Sequence, residues 1–190
     1  MEKIKIFVPT TLADVSVAQY RKIAKLDTTE KHEKWLIDAI SIFCNITKEQ
    51  VKAMSLKDMN LIANKIAQLK DAEKHNERLK PKITHEKIEY GFHPNLSKLT
   101  VGEFADIETY CVNGLFENIG QILTILYRPI TFESGDFYQI EDYKGQGDPK
   151  KWDTLKMDVV MGALNFFLSI GETLTKDLAN YSIQEAEAIY

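Results

Sequence analysis

Cysteine is scarce in this chain of 190 residues, and no apolar run is long enough to suggest a membrane helix. The two cysteines, Cys44 and Cys111, are far apart, which argues against a disulfide scaffold and favours a reducing compartment. The most apolar stretch, 159–170, contains Asn165 and Ser169 and is too short to span a bilayer. We therefore expect a soluble protein that makes no membrane contact and is synthesised in a cytoplasm.

The residue patterns that carry most enzyme chemistry are also missing. The four histidines include no pair at the i, i+4 spacing that clamps a metal on a helix. No serine lies in a G-x-S-x-G turn, and no glycine-rich loop joins a strand to a helix, so no nucleotide cradle is expected. The net charge of −4 gives no overall attraction to nucleic acid. The sequence thus predicts no metal, no cofactor and no enzymatic activity.

The chain does contain an internal repeat. Residues 15–20 resemble residues 99–104, and residues 40–43 resemble residues 123–126, each about 84 positions later. Because these matches occur in the same order, they predict a duplicated strand–loop–helix–helix unit. The expected fold is α+β and predominantly helical, with short strands and a β-hairpin.

Each copy of the unit forms part of a single globular body in this interpretation. The first strand and helical unit covers 1–80, and the second covers 81–190 with the hairpin and a long C-terminal helix. Helix starts are predicted where a hydroxyl residue can cap free backbone N–H groups, namely at Ser16, Thr47 and Thr100.

Apolar periodicity and turn residues predict the remaining elements. Alternation over 3–8 indicates a half-buried strand, and a hairpin is expected around His85–Glu86. A helix over 115–126 is expected to end at Arg128–Pro129, with the arginine bonding its last carbonyl groups. The last helix is expected to begin at 153 or 154 and to reach about residue 181.

Charged residues form two candidate sites, each with a simpler explanation. Asp136, Glu141 and Asp142 flank a short predicted strand at 137–140, as a carboxylate hydrolase would require, although solvation alone explains them. The segment 65–82 is locally basic but carries no aromatic residue for base stacking. It is best explained as a solvated helix end; the alternatives are a surface that rests against nucleic acid or against an acidic partner.

Four residues are candidate interface contacts. Trp152 follows a glycine-containing loop, where it is either an interface anchor or a residue packed under the last helix. Phe166 and Phe167 belong to that last helix, whose apolar residues cover more than one face, and Tyr190 ends the chain. A helix of this kind is typical of a protein core or of a subunit interface.

Several segments carry a family resemblance. Tyr90–Leu96 (YGFHPNL), Leu99–Phe104 (LTVGEF), Leu126–Ile130 (LYRPI) and the run from Met157 to Phe167 together resemble small proteins encoded among the virion-structure genes of tailed bacteriophages, including crAss-like phages. The resemblance covers roughly 83–175. It implies a non-enzymatic particle component and assigns no catalytic residue.

Three hypotheses follow from these observations. The resemblance implies a tail or head–tail junction ring component, or a protein packaged in the virion, whose partners are other phage structural proteins and copies of itself. The first alternative is a tail assembly chaperone that is absent from the mature particle. The second alternative is a small hydrolase-like enzyme, which requires a concave pocket with shifted titratable groups.

Overall fold

Helices make up most of the described chain, and the strands form one antiparallel sheet. The computed structural model describes residues 5–27, 29, 32–72, 77–145 and 147–169. The predominantly helical α+β class is therefore confirmed. Within these residues the helices are α1 (Val17–Ala24), α2 (His32–Cys44), α3 (Lys48–Lys52), α4 (Leu56–Ala72), α5 (Val101–Val112), α6 (Ile119–Leu126) and α7 (157–169), and the strands are β1 (Lys82–His85), β2 (Ile88–Phe92), β3 (Tyr127–Ser134) and β4 (Phe137–Ile140).

Side-chain caps determine where several helices begin. The hydroxyl of Ser16 accepts a hydrogen bond from the N–H of Gln19 at 3.3 Å, and Oε1 of Gln19 accepts one from the N–H of Ser16 at 2.9 Å. This reciprocal arrangement satisfies donors that the first turn of a helix leaves free. The same capping box begins α3 and α5, so the N-caps predicted at Ser16, Thr47 and Thr100 are confirmed.

The sheet has the strand order β1-β2-β3-β4, and every pairing is antiparallel. The predicted hairpin joins β1 to β2. Its two turn residues, Glu86 and Lys87, have φ values of +48° and +67°. Two successive positive φ angles match the twist of antiparallel strands, a conformation that usually requires Asn-Gly. The hairpin is thus confirmed although the usual turn residues are absent.

β3 bends along its length and takes part in two pairings. Residues 127–129 pair with β2, whereas 130–134 pair with β4 across a register shift. Pro129 lies at the change of partner, where a residue without an N–H is tolerated, and its carbonyl accepts from the N–H of Glu141 at 2.9 Å. Beyond this register shift lies the hairpin of residues 130–140, which we call the wing, and its Tyr138 ring still lies over Gly91 of β2.

The chain passes from helix to strand earlier than expected around this point. Arg128–Pro129 was expected to end a helix, but α6 ends at Leu126 and Tyr127 already begins β3. The helix also begins later than residue 115, because Ile119 is its first residue and the preceding segment forms turns. Burial of both Leu126 and Tyr127 explains why no polar residue marks the boundary.

The strand predicted over 3–8 is wrong for the residues that the structure describes. Residues 5–8 pair with no strand there, and Lys3 and Ile4 lie outside the described part. The alternation nevertheless predicts which side chains face the core, since Ile6 and Val8 pack against it while Phe7 is exposed. Apolar alternation thus places side chains correctly, but a strand also needs a neighbouring strand with free hydrogen-bonding groups.

The duplicated unit is not confirmed. Its matching helix starts at Ser16 and Thr100 are both present, but the first copy contributes no strand in its described residues. The equivalent residues Ile42 and Ile125 also differ, because Ile42 is half-buried and Ile125 is buried.

The core runs continuously through both predicted units and centres on Trp152. This side chain is fully buried, and its Nε1 donates to Oγ1 of Thr124 at 3.0 Å. Its ring stacks on the ring of His85 with centroids 5.5 Å apart. α6 approaches the turn that carries Trp152 so closely that a Cβ at Gly120 would lie 2.7 Å from the carbonyl of Pro149. Glycine is therefore needed at this crossing.

The first helical unit is attached to the second by backbone hydrogen bonds. The N–H of Val17 donates to the carbonyl of Leu155, and the N–H of Met157 donates to the carbonyl of Val15, both at 2.9 Å. These bonds hold the start of α1 beside the start of α7. Both starts are thereby fixed on the same core.

α7 begins at residue 157 rather than at 153 or 154, because a turn and this pairing precede it. Val160 and Leu164 are buried, whereas Leu168 is 47 % exposed. The expected end of the helix near residue 181 lies outside the described residues.

Leu164→Ala tests the role of α7 in the core. The Leu164 side chain is 1 % exposed, so we expect its truncation to lower the free energy of unfolding by roughly 2–5 kcal/mol. Leu168→Ala on the exposed side of the same helix is the matched control and should cost much less. Urea denaturation of both variants measures the difference, and equal losses would contradict this placement of the helix.

Candidate functional site

The first turn of α5 gives one glutamate two simultaneous roles. Glu103 is the third residue of the helix, and its Oε2 accepts hydrogen bonds from the N–H and the hydroxyl of Thr100 at 2.6 and 2.8 Å. Its Oε1 is left to accept other donors. The side chain is only 2 % exposed, and a carboxylate removed from water to this degree requires a compensating charge.

Arg128 on β3 supplies that charge. Its Nη2 donates to Oε1 of Glu103 at 2.7 Å, and the arginine is itself buried. β3 places it opposite Gly91 in the middle of the sheet. The expectation that Arg128 caps a helix C-terminus is therefore wrong. The ion pair instead joins the start of α5 to the central strands.

His93 is the third member of this buried cluster. Its Nε2 lies 3.8 Å from Oε1 of Glu103, beyond hydrogen-bond distance, and its Nδ1 accepts from the N–H of Asn95 at 3.3 Å. Burial lowers the pKa of His93, the charge of Arg128 lowers it further, and Glu103 only partly opposes both effects. The imidazole is therefore neutral at neutral pH.

Glu103 stays ionised despite its burial. Burial by itself raises the pKa of this carboxyl, but the hydrogen bonds from Thr100 and the charge of Arg128 prevail and lower the pKa below its usual value. A carboxylate with a lowered pKa and both oxygens occupied is a weak general base at neutral pH. It serves here as a fixed charge that orders its neighbours.

An open groove of about 540 Å³ lies over this cluster. His93, Glu103 and Arg128 contribute to its floor, and the start of α5 forms one side. The other side is formed by the wing and the segment that follows it. The residues on that side are Phe137, Tyr138, Gln139, Ile140, Glu141, Asp142 and Tyr143.

Two tyrosines hold the second side in place. The Tyr138 hydroxyl donates to the carbonyl of Phe92 at 2.7 Å, so its ring crosses over Gly91. A Cβ at Gly91 would lie 2.4 Å from that ring, which only glycine avoids. The Tyr143 hydroxyl donates to Oδ2 of Asp106 and ties the segment after the wing to α5. Burial, and then this hydrogen bond, raise the pKa of Tyr143, so it remains protonated.

The groove has the concave shape and the shifted titratable groups that the enzyme hypothesis requires. Of the three acidic residues flanking β4, Glu141 and Asp142 line the groove, whereas Asp136 does not. Among the described lining residues, no hydroxyl is hydrogen-bonded to a histidine, and the Thr100 hydroxyl is engaged by Glu103. Among these lining residues, the arrangement that activates a hydroxyl nucleophile is therefore absent.

The candidate interface residues occupy different environments. Trp152 is enclosed by the core, so the packing alternative describes it correctly. Phe166 is 39 % exposed and contacts the Phe92 ring edge-on, while Phe167 is half-buried against the core. Tyr190 lies outside the described residues. Only Phe166 of these four presents a substantial aromatic surface in the described part of the chain.

The structure gives a partner or a buried position to several of the other sequence candidates. Two lysines of the basic segment form ion pairs, Lys80 with Asp158 and Lys82 with Glu133. Burial raises the pKa of Cys44 to about 11, so its thiol is protonated. Within the described ranges, no three His, Cys, Asp or Glu side chains are grouped to hold a metal ion. None of the helices described there has the length and apolar character needed to cross a bilayer.

Arg128→Met tests the buried ion pair. The substitution leaves Glu103 buried without its counter-charge, so we expect the free energy of unfolding to fall by about 3–5 kcal/mol. Lys82→Met breaks the exposed pair with Glu133 and is the control, with little expected change. Urea denaturation compares the two variants, and a similar small effect in both would contradict the structural role of Arg128.

Acidification tests the buried histidine. Because the folded-state pKa of His93 lies below the ordinary 6.5, the unfolded chain takes up a proton first as the pH falls. Stability from this group is complete above about pH 7 and is lost as the pH falls through 6.5 toward the lower folded-state pKa. Thermal unfolding should show a smaller decrease in Tm on acidification for His93→Gln than for the parent.

The substitution His32→Gln is the control for this experiment, because His32 is exposed on α2. Its Tm should follow the parent across the same pH range. If His93→Gln also follows the parent, the buried imidazole does not contribute to acid sensitivity.

Comparison with known proteins adds no assignment to the groove. The chain matches no protein-family model, no curated protein and no solved structure. The chemistry of its own residues is therefore the basis for inferring what the groove and the exposed surfaces do.

Proposed function

We propose that this chain is a non-enzymatic virion protein of a tailed bacteriophage that acts by packing against other proteins. It is a ring component of the tail or of the head–tail junction, or a protein packaged in the particle. Its partners are other phage structural proteins and copies of itself. It is made in the host cytoplasm and resides in the virion.

The observation that carries the binding part of this proposal is the exposure of phenylalanine. Five of the nine phenylalanines are exposed, with Phe132 at 52 % and Phe137 at 57 %. Phenylalanine is among the residue types most often buried in soluble proteins. When a partner covers exposed aromatic side chains, their large apolar surface is removed from water, which favours binding. Aromatic residues are accordingly enriched at interfaces. The five exposed residues are Phe7, Phe104, Phe132, Phe137 and Phe166.

The wing presents two of these rings as one surface. Phe132 on β3 and Phe137 on β4 lie with their ring centroids 6.3 Å apart in a tilted arrangement. Such a pair on a projecting hairpin can enter a pocket of a partner as one anchor.

The end of α7 supplies a second exposed surface. Phe166 and Leu168 are exposed near the last described turn. Because these surfaces belong to different elements, a head-to-tail contact between copies is geometrically possible, and contacts of this type close rings. The resemblance to phage virion proteins supports the viral setting.

A duplication origin for the two helical units belongs to this proposal as well. Capping boxes of the same type at Ser16 and Thr100 support it. In this view the ancestral strand pairing was retained only in 81–190. An experimental structure in which α1–α2 and α5–α6 differ in packing angle would contradict a shared origin.

Mass spectrometry of purified particles tests the proposed function. We expect peptides of this chain at a fixed copy number in the particles of the virus that encodes it. Absence from particles, together with recovery from lysate in complex with a tail protein, would favour the chaperone alternative. Absence from both would contradict the proposal and favour the enzyme alternative, for which the groove offers a pocket.

The measurement of copy number in particles can be repeated with a variant that lacks the two exposed phenylalanines of the wing. Phe132→Ser with Phe137→Ser should lower the copy number in particles by roughly tenfold while leaving the Tm nearly unchanged, because both rings are exposed. Leu56→Ser removes exposed apolar surface at the start of α4 and is the control. Equal incorporation of all three forms would exclude the wing as the contact.

A further inference from the structure

We propose that the groove between α5 and the wing binds an extended peptide segment of a partner protein and accepts a lysine or arginine side chain of that segment. This inference rests on the proposed function, because it assigns one surface through which the chain packs against other proteins. Four features support it: the donor left on the groove floor, the aromatic wall, the charge at the rim and the free edge of β4.

The groove floor retains a hydrogen-bond donor without an acceptor. Arg128 is 7 % exposed and uses Nη2 for Glu103, but its Nε has no hydrogen-bond partner in the described part of the chain. Buried polar groups are nearly always paired, and an unpaired one lowers stability. Because Nε is itself buried, a backbone carbonyl of a bound peptide pairs with it only when the side chains above it move aside, and such a carbonyl brings no additional negative charge toward Glu103.

The wall opposite α5 suits the stem and the head of a long cationic side chain. Phe137, Tyr138 and Ile140 provide apolar and aromatic surface along the wing, and Tyr143 continues it. Methylene stems of lysine and arginine pack on such surface, and their charged ends are attracted to aromatic faces. An anionic side chain would gain neither interaction.

The rim has an excess of negative charge. Glu141 and Asp142 line the groove, and within the described residues Asp142 forms no ion pair. Glu141 has an exposed contact of 3.8 Å with Lys144 and also attracts Lys151, which lies outside the groove lining. On the floor, Arg128 neutralises Glu103, and His93 carries no charge at neutral pH. Lys98 is the one cationic lining residue left to oppose these two carboxylates, so the groove attracts cations.

The position of β4 favours an extended ligand. β4 is the last strand in the sheet order, so one of its edges has no strand partner among the described residues. A peptide can add to a free strand edge through backbone hydrogen bonds while alternate side chains enter a neighbouring pocket. The groove volume of about 540 Å³ is sufficient for such side chains.

A titration of the full chain, labelled with nitrogen-15 and followed by NMR, tests this inference. The probes are acetyl-Ala-Lys-Ala-amide and two relatives in which norleucine or glutamate replaces the lysine. We expect saturable shifts with the lysine peptide at backbone amides in 93–103 and 137–143, with a Kd of roughly 1 mM. The norleucine peptide, which keeps the stem but lacks the charge, should bind at least about fivefold more weakly.

A variant of the groove lining and a control variant outside it show whether the peptide binds in the groove. Glu141→Gln with Asp142→Asn should weaken binding of the lysine peptide by about fivefold or more. Asp136→Asn removes an equivalent charge at the turn of the wing, outside the groove lining, and should leave binding unchanged. Both variants should give a parent-like Tm, which separates loss of binding from loss of folding.

Other results overturn the inference. Absence of saturable shifts up to about 20 mM peptide would exclude a peptide site of useful affinity. Equal binding of the lysine and norleucine peptides would exclude recognition of the cation. Stronger binding of the glutamate peptide would assign the groove to anions through Arg128 and Lys98. Each of these results leaves the particle measurement unaffected, so failure here and failure of the virion proposal are distinguishable.

Discussion

Glu103 and Arg128 are held within 2.7 Å of each other and almost entirely out of water, although they come from a helix start and a sheet strand. Neither charge is stable there alone, because the cost of removing an ion from water is returned only by a close counter-ion and further hydrogen bonds. Thr100 supplies two of those bonds by capping α5 with the same carboxylate. One carboxylate therefore determines where α5 begins and how it meets the sheet.

The wing depends on that arrangement. β3 carries Arg128 in the half that pairs with β2, and then bends into the half that pairs with β4. Tyr138 crosses over Gly91 and bonds to the carbonyl of Phe92, which fixes the wing against the same central strands. The groove and the exposed Phe132–Phe137 pair are thus both held in place by the same central strands. A rigid support for a binding surface reduces the conformational entropy lost when a partner binds.

Local elements could be predicted from the sequence because their causes are local. A hydroxyl followed three residues later by Gln or Glu marks the start of α1, α3 and α5. Apolar spacing in α4 places Met59, Ile62, Ile66 and Leu69 inward; the last three are buried, and Met59 is half-buried against the core. The strand over 3–8 failed because a strand requires a partner strand, which alternation within one segment cannot reveal.

The groove itself could not be predicted, for a similar reason. Arg128 was expected at a helix C-terminus, and the spacing from Thr100 to Glu103 indicates no more than a capping box. Their contact joins positions separated by a helix and a turn. Two features of the sequence could have indicated this contact. A glutamate that caps a helix with one carboxylate oxygen keeps its second oxygen available for another donor. Arg128 lies beside Tyr127 in an apolar strand and needs an acceptor there. Trp152 is a similar case, since its Nε1 donates to a hydroxyl on Thr124 that is distant in the sequence.

A double-mutant cycle between Glu103 and Arg128 tests most directly whether this pair organises the structure. The free energy of unfolding is measured for the parent, Glu103→Gln, Arg128→Met and the double variant. If the pair is the support described above, the coupling energy should be about 2 kcal/mol or more, since each residue then depends on the other. A coupling energy below about 0.5 kcal/mol would show that the two charges contribute independently, and would contradict the account.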